Sequence, residues 1–137
     1  MAKSVHNLVL DAALNYLKSN ANRLVVCTDA PNYTQAQANF DSSGYRLAEK
    51  TIDASDFTGP ADGDTNGRKV AVNAASSMSI NGIASGAQNA THVALVKQHA
   101  SASSQAVLYI TTCTSQSLTA GNKVNTPAWD IELRDPA

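Results

Sequence analysis

The sequence predicts an α+β fold: one N-terminal helix, then an antiparallel β-sandwich or barrel, jelly-roll-like, of about seven or eight strands. Three observations predict it. Apolar residues recur at helical spacing over residues 5–17. From Arg23 onward the period shortens to two, in short runs rich in Val, Ile, Thr and Tyr. Turn-forming residues separate those runs at intervals of 10 to 15 positions. A chain of 137 residues reads as a single domain, residues 1–137, with a helix over 1–22 and a β-rich body over 23–137. A chain of this length buries roughly two-thirds of its unfolded surface, enough for one core without staples.

The helix comes first. Val5, Leu8, Val9, Ala12, Ala13, Tyr16 and Leu17 form an i, i+3, i+4 series and predict its core-facing stripe. Ser4 is placed to cap its N-terminus, and Asn20 with Asn22 to close the other end. Leu10 and Leu14 fall off the stripe and widen the apolar face. A helix so broadly apolar packs on a sheet or on a neighbouring chain. Leu10 and Leu14 are therefore the candidate interface residues, against the plainer alternative of a helix sunk deeply into its own domain.

The strands follow in order. Residues 23–28 (RLVVCT) read as a buried strand, 32–40 (NYTQAQANF) as a short helical turn, and 45–52 (YRLAEKTI) as an alternating strand. Residues 53–67, dense in Asp, Gly, Pro and Thr, read as a loop, and 69–73 (KVAVN) alternates again. Met78 and Ile80 meet Ile83 across Asn81-Gly82, which predicts a two-residue hairpin because both central positions tolerate positive φ. Residues 92–97 and 106–113 form a second hairpin, 122–125 a short strand, and 128–133 (AWDIEL) the last. In that last strand Trp129 reads as a core anchor on one face with Ile131 and Leu133.

Composition narrows the function classes. Ala, Ser, Thr and Asn fill 60 positions and charged residues only 15%, against a usual ~25%. Lys plus Arg is 10 and Asp plus Glu is 11, so no basic excess exists to hold a nucleic-acid backbone. No run approaches 18 apolar residues, which excludes a helical membrane span. Asp11 interrupts the apolar run that would make a signal peptide, so the chain is expected to fold in the cytoplasm. Cys27 and Cys113 each sit in an apolar or β-branched run and read as small buried hydrophobes.

Candidate chemistry is sparse. Asp62-Gly63-Asp64-Thr65-Asn66-Gly67 matches the opening of a calcium loop, which presents hard oxygens at alternate positions. The twelfth position should be a bidentate Glu and is Asn73, so the letters read as an ordinary Asx-rich turn. His6, His92 and His99 lack a close-spaced carboxylate or thiolate partner, so neither a metal nor a cofactor is expected. No G-x-S-x-G, H-E-x-x-H or phosphate loop occurs, and an enzyme is not expected.

Both ends of the chain carry a pattern. V-L-D-A-A-L-N-Y-L-K (9–18), then R-L-V-V-C-T (23–28) with Pro31, Tyr33 and Ala36, the N-G-R-K-V turn (66–70), T-H-V-A-L-V (91–96) and the ending A-W-D-I-E-L-R-D-P (128–136) together resemble small virion proteins of tailed bacteriophages. The resemblance covers most of the chain and consists of packing and turn residues. It implies a non-enzymatic structural protein, most like a capsid decoration or cement protein. Such a protein sits on the virion surface, with the major capsid protein as partner, and forms symmetric homo-oligomers. It implies no nucleic-acid or membrane partner. The rivals are a tail or neck component and a host- or sugar-binding β-sandwich module.

Overall fold

The computed structural model of the chain describes residues 3–33, 45–99 and 105–136. In chain order the elements are α1 (Asn7–Asn20), β1 (Arg23–Cys27), β2 (Arg46–Thr51), a 3-10 turn (Ala54–Asp56), β3 (Phe57–Asp62), β4 (Arg68–Val72), β5 (Ala75–Ser79), β6 (Ala87–Gln98), β7 (Gln105–Thr119), β8 (Lys123–Thr126) and β9 (Trp129–Leu133). The α+β class is as the sequence predicts. The described strands number nine, every pairing is antiparallel, and the sheets are open rather than closed into a barrel. The helical turn expected over 32–40 lies largely outside the described residues. The chain divides into two compact units.

The first unit holds Met1–Asn20, Asp53–Ala74 and Pro127–Ala137. Its sheet runs β3-β4-β9. The register Arg68↔Leu133, Val70↔Ile131, Val72↔Trp129 puts these six side chains on one face and Lys69, Asp130 and Glu132 on the other. α1 packs on β4 and β3, and Asp11 grips Arg68 with Nε–Oδ1 at 2.6 Å and Nη2–Oδ2 at 3.2 Å, which places the helix over the apolar face. His6, not Ser4, caps the helix: its Nδ1 accepts from the Leu8 N–H at 3.1 Å, and its carbonyl from the Val9 N–H at 2.8 Å. At the other end the Asn20 side chain donates to the Tyr16 carbonyl.

The rotation of α1 differs from the expected one, and of the expected stripe only Leu17 is buried. Leu10, Leu14 and Leu17 are buried, whereas Leu8, Val9 and Tyr16 are exposed. Leu10 and Leu14 are thus core residues, and burial leaves them no surface to offer a partner. The helix is apolar on two sides, and counting periodic positions selects the side with more of them. Leucines at i, i+4 and i+7 bury more area per position than alanines do, so the leucine side takes the core. The two helix charges reinforce that choice, because Asp11 finds Arg68 and the Lys18 ammonium donates to the Gly59 carbonyl at 2.9 Å.

Within the stretch read as a loop, residues 57–62 form a strand. Gly59 and Pro60 obscure it in the sequence, but β3 is an edge strand, where a proline costs no ladder bond, and its pairing shifts register across them. Asp53 caps the preceding turn reciprocally with Asp56: the Ser55 N–H donates to Asp53 Oδ1 and the Asp53 N–H to Asp56 Oδ2.

The second unit holds Ala21–Ile52 and Ala75–Thr126. Its four-stranded sheet runs β2-β1-β6-β7, and β5 pairs with β8 separately. All five residues of β1 are buried, as a central strand covered on both faces must be, which explains the apolar run from Leu24 to Cys27 that follows Arg23. Val25, Cys27, Ala94, Val96 and Val107 make one fully buried cluster. Asn22, expected to close the helix, belongs to this unit and exchanges side-chain hydrogen bonds with the Gln98 backbone at 3.0 and 2.8 Å. The hairpin across Asn81-Gly82 does not form. β5 pairs with β8 instead, and Gly82 lies against β2: its N–H donates to the Leu47 carbonyl, and a Cβ there would stand 1.8 Å from the Arg46 carbonyl oxygen. Asn81 accepts from Arg46 Nη1 at 2.6 Å, so this dipeptide serves close approach rather than a turn. The second hairpin is present and longer than expected, with strands of 12 and 15 residues.

Candidate functional site

The outward side of α1 is the most unusual surface of the first unit. Leu8 is 72% exposed, Val9 61% and Tyr16 58%, and Ala12 and Ala13 are exposed between them. At 100° per residue these five side chains fall in one arc. The only charged residues of the helix, Asp11 and Lys18, are bonded to the sheet, so the arc carries no charge of its own. A solvent-facing helix normally has the reverse distribution. An uncharged apolar arc with its charges turned inward can do one chemical thing well, which is to lie against another surface and lose water.

The Asp62-to-Gly67 segment is the turn between β3 and β4. Asp62 Oδ1 accepts from Arg68 Nη1 at 2.5 Å, and Asp64 Oδ1 from Lys69 Nζ at 2.5 Å, while Lys69 also reaches Asp130 Oδ2 at 2.9 Å. The hydrogen bonds it donates to Asp64 and then to Asp130 hold the Lys69 ammonium well above the ordinary lysine range. The turn closes with the Gly63 N–H on the Gly67 carbonyl and the Asp64 N–H on Glu132 Oε1 at 2.7 Å. Gly67 has φ +75°, and a Cβ on it would lie 2.0 Å from the Leu133 carbonyl oxygen. The carboxylates that resemble calcium ligands are therefore engaged by cations of their own sheet. Glu132 sits beside Arg134 at 3.0 Å, and that bond, helped by the Asp64 N–H, lowers its carboxyl below the ordinary value.

In the second unit Arg23 is 4% exposed at the start of β1, ion-paired with Glu49 and bonded to Gln105 Oε1 at 3.3 Å. Satisfying a buried guanidinium in this way is a folding requirement rather than a site. The histidines are apart in role: His6 caps α1, His92 Nδ1 lies 2.8 Å from Thr91 Oγ1, and His99 lines an open depression with Asn22, Thr51 and Gln98. Among the described residues, no three His, Cys, Asp or Glu side chains gather around a common point. Cys27 is buried as expected, and burial pushes its thiol up to about 12. Cys113, expected to be buried, is exposed on β7, because β6 and β7 run on beyond the covered part of the sheet. Trp129 is half-buried beside the buried Ile131.

The sequence signal for the exposed arc is present, as the Val5-to-Tyr16 series, but it is indistinguishable from a core stripe until Asp11 is seen to have a partner on the sheet. No protein-family model, curated protein or solved structure matches the chain.

Proposed function

We propose that the chain is a non-enzymatic virion structural protein that decorates or cements a phage capsid, docking on the shell through the outward arc of α1. The observation that carries the reading is that arc, apolar and uncharged on a helix whose two charges face inward. Fully burying a Leu, Val or comparable side chain is worth about 1.5–3 kcal/mol, so Leu8, Val9 and Tyr16 together supply a useful docking energy with no charge to desolvate. The resemblance of the patterned ends, this same helix among them, to small tailed-phage virion proteins supports the reading, and so does a low charge density suited to close packing against a repeating surface.

Imaging of assembled particles tests it. The protein is expected on the capsid shell at symmetry-related positions, and Leu8→Gln/Val9→Gln is expected to fold normally yet fail to join the shell. A particle that lacks the protein, or carries it only at the tail or neck, overturns the capsid assignment.

A further inference from the structure

Among the described residues, the second unit has an edge that its own strands leave open. β7 closes one side of the four-stranded sheet, with β6 as its only strand neighbour among the described residues. Its 15 residues, QAVLYITTCTSQSLT, contain no charged side chain and no proline. The other edges are blunted in the ways proteins use to prevent strand addition. β2 carries Arg46, Glu49 and Lys50, β3 carries Pro60 and Asp62, and β9 carries Asp130 and Glu132. β8 has four residues and a lysine, and β5 has five, bent at Ser77 with φ +57°.

Along β7 the exposed part is specific. The Val107 N–H meets the Tyr33 carbonyl at 3.4 Å near the start of the strand, whereas residues 112–117 are all exposed. In that stretch the pairing slips: Ala90 faces Gln116 and His92 faces Thr112, which leaves residues 113–115 of β7 opposite Thr91 alone. Three residues opposite one make a bulge that interrupts the ladder to β6 at this point, while the outward backbone groups of this edge strand have no strand partner among the described residues.

We infer that this edge is a self-association surface, and that its occupant is β7 of a second copy of the chain, paired antiparallel about a two-fold axis. Two features select that partner. An isologous pairing of β7 with itself desolvates no charge and sets no like charges across the strands. Every other edge of a second copy would bring a charged side chain or proline, or a strand too short and bent to continue the ladder. Pairing over residues 112–119 spans about 27 Å at ~3.4 Å per residue. A single strand-to-strand seam of that length is a minor contact beside a standard interface of roughly 1,600 Å², so the association is weak. The inference does not rest on the capsid reading and holds for the purified chain in solution.

Sedimentation of the full-length chain from low micromolar to near-millimolar concentration, with hydrogen exchange at both ends of the range, tests it. A monomer–dimer equilibrium is expected, with amides of 112–117 gaining protection as the dimer fills. Labelling of the exposed Cys113 is expected to slow in parallel while the buried Cys27 stays unreactive. Thr114→Lys/Gln116→Lys, which changes exposed side chains, is expected to leave the melting temperature unchanged and the chain monomeric. Leu8→Gln/Val9→Gln, which alters only the α1 arc, is expected to dimerise as the parent does. A chain that is monomeric throughout overturns the inference, and so does a dimer that persists in the lysine variant or forms without protection at 112–117. If the lysine variant melts early, the exchange and labelling of the unmodified chain decide the matter by themselves.

Discussion

The rotation of α1 can be tested by comparing one truncation on each side of the helix. Leu14 is 1% exposed and Leu8 is 72% exposed. Leu14→Ala removes three carbons from the core, worth about 2.4 kcal/mol at ~0.8 per buried group. The cavity adds to that, bringing the cost to about 3–4 kcal/mol. The same change at Leu8 removes carbons only about a quarter covered, so about 0.6 kcal/mol is lost, and the better helix propensity of alanine offsets part of it. Against a total stability of about 5–15 kcal/mol the two are easily separated. Urea unfolding followed by the fluorescence of Trp129 is the assay, since this single tryptophan lies on β9, in the same unit as the helix. The midpoint should fall sharply for Leu14→Ala and hardly move for Leu8→Ala, with the denaturant slope unchanged in both. Equal losses, or a larger loss at Leu8, would mean that the helix docks by its other side, and both the core and the docking arc described above would be misassigned.

Three further outcomes are expected. Gly82→Ala forces a Cβ to within 1.8 Å of the Arg46 carbonyl oxygen and should cost more than about 3 kcal/mol; Gly86→Ala, at φ +77° with open space around it, should cost only the left-handed penalty of about 1–2 kcal/mol. Because the folded Glu132 carboxyl titrates below its ordinary 4.5, its stabilising effect is present above that pH and is lost as pH falls through the folded value. Glu132→Gln, which keeps an acceptor for the Asp64 N–H, should therefore be less stable at neutral pH and show a shallower acid limb in thermal melts, and an unchanged limb would refute this. Calcium should not raise the melting temperature, because Asp62 and Asp64 are held by Arg68 and Lys69, and a rise of several degrees abolished by Asp64→Ala would show otherwise.

Local information by itself determined the helix, the class and most of the strands. The shift of period after Asn22 is a property of the chain alone, because side-chain direction follows from backbone geometry at 3.6 or 2 residues per repeat. The apolar run of β1 likewise announced a buried strand. What only the tertiary structure decided were choices between locally equivalent alternatives. α1 has two apolar sides, and Arg68, 57 residues away from Asp11, helps to select between them. Asn81-Gly82 can turn a hairpin or let two backbones approach, and the carbonyls of β2 settle which. Gly59-Pro60 reads as a break, yet it is tolerated in β3 because only one side of that strand needs a ladder. Even the candidate surfaces, the outward arc of α1 and the free side of β7, are defined by what the rest of the fold leaves uncovered. Burial is a relation between segments distant in sequence, and no window along the chain contains both partners.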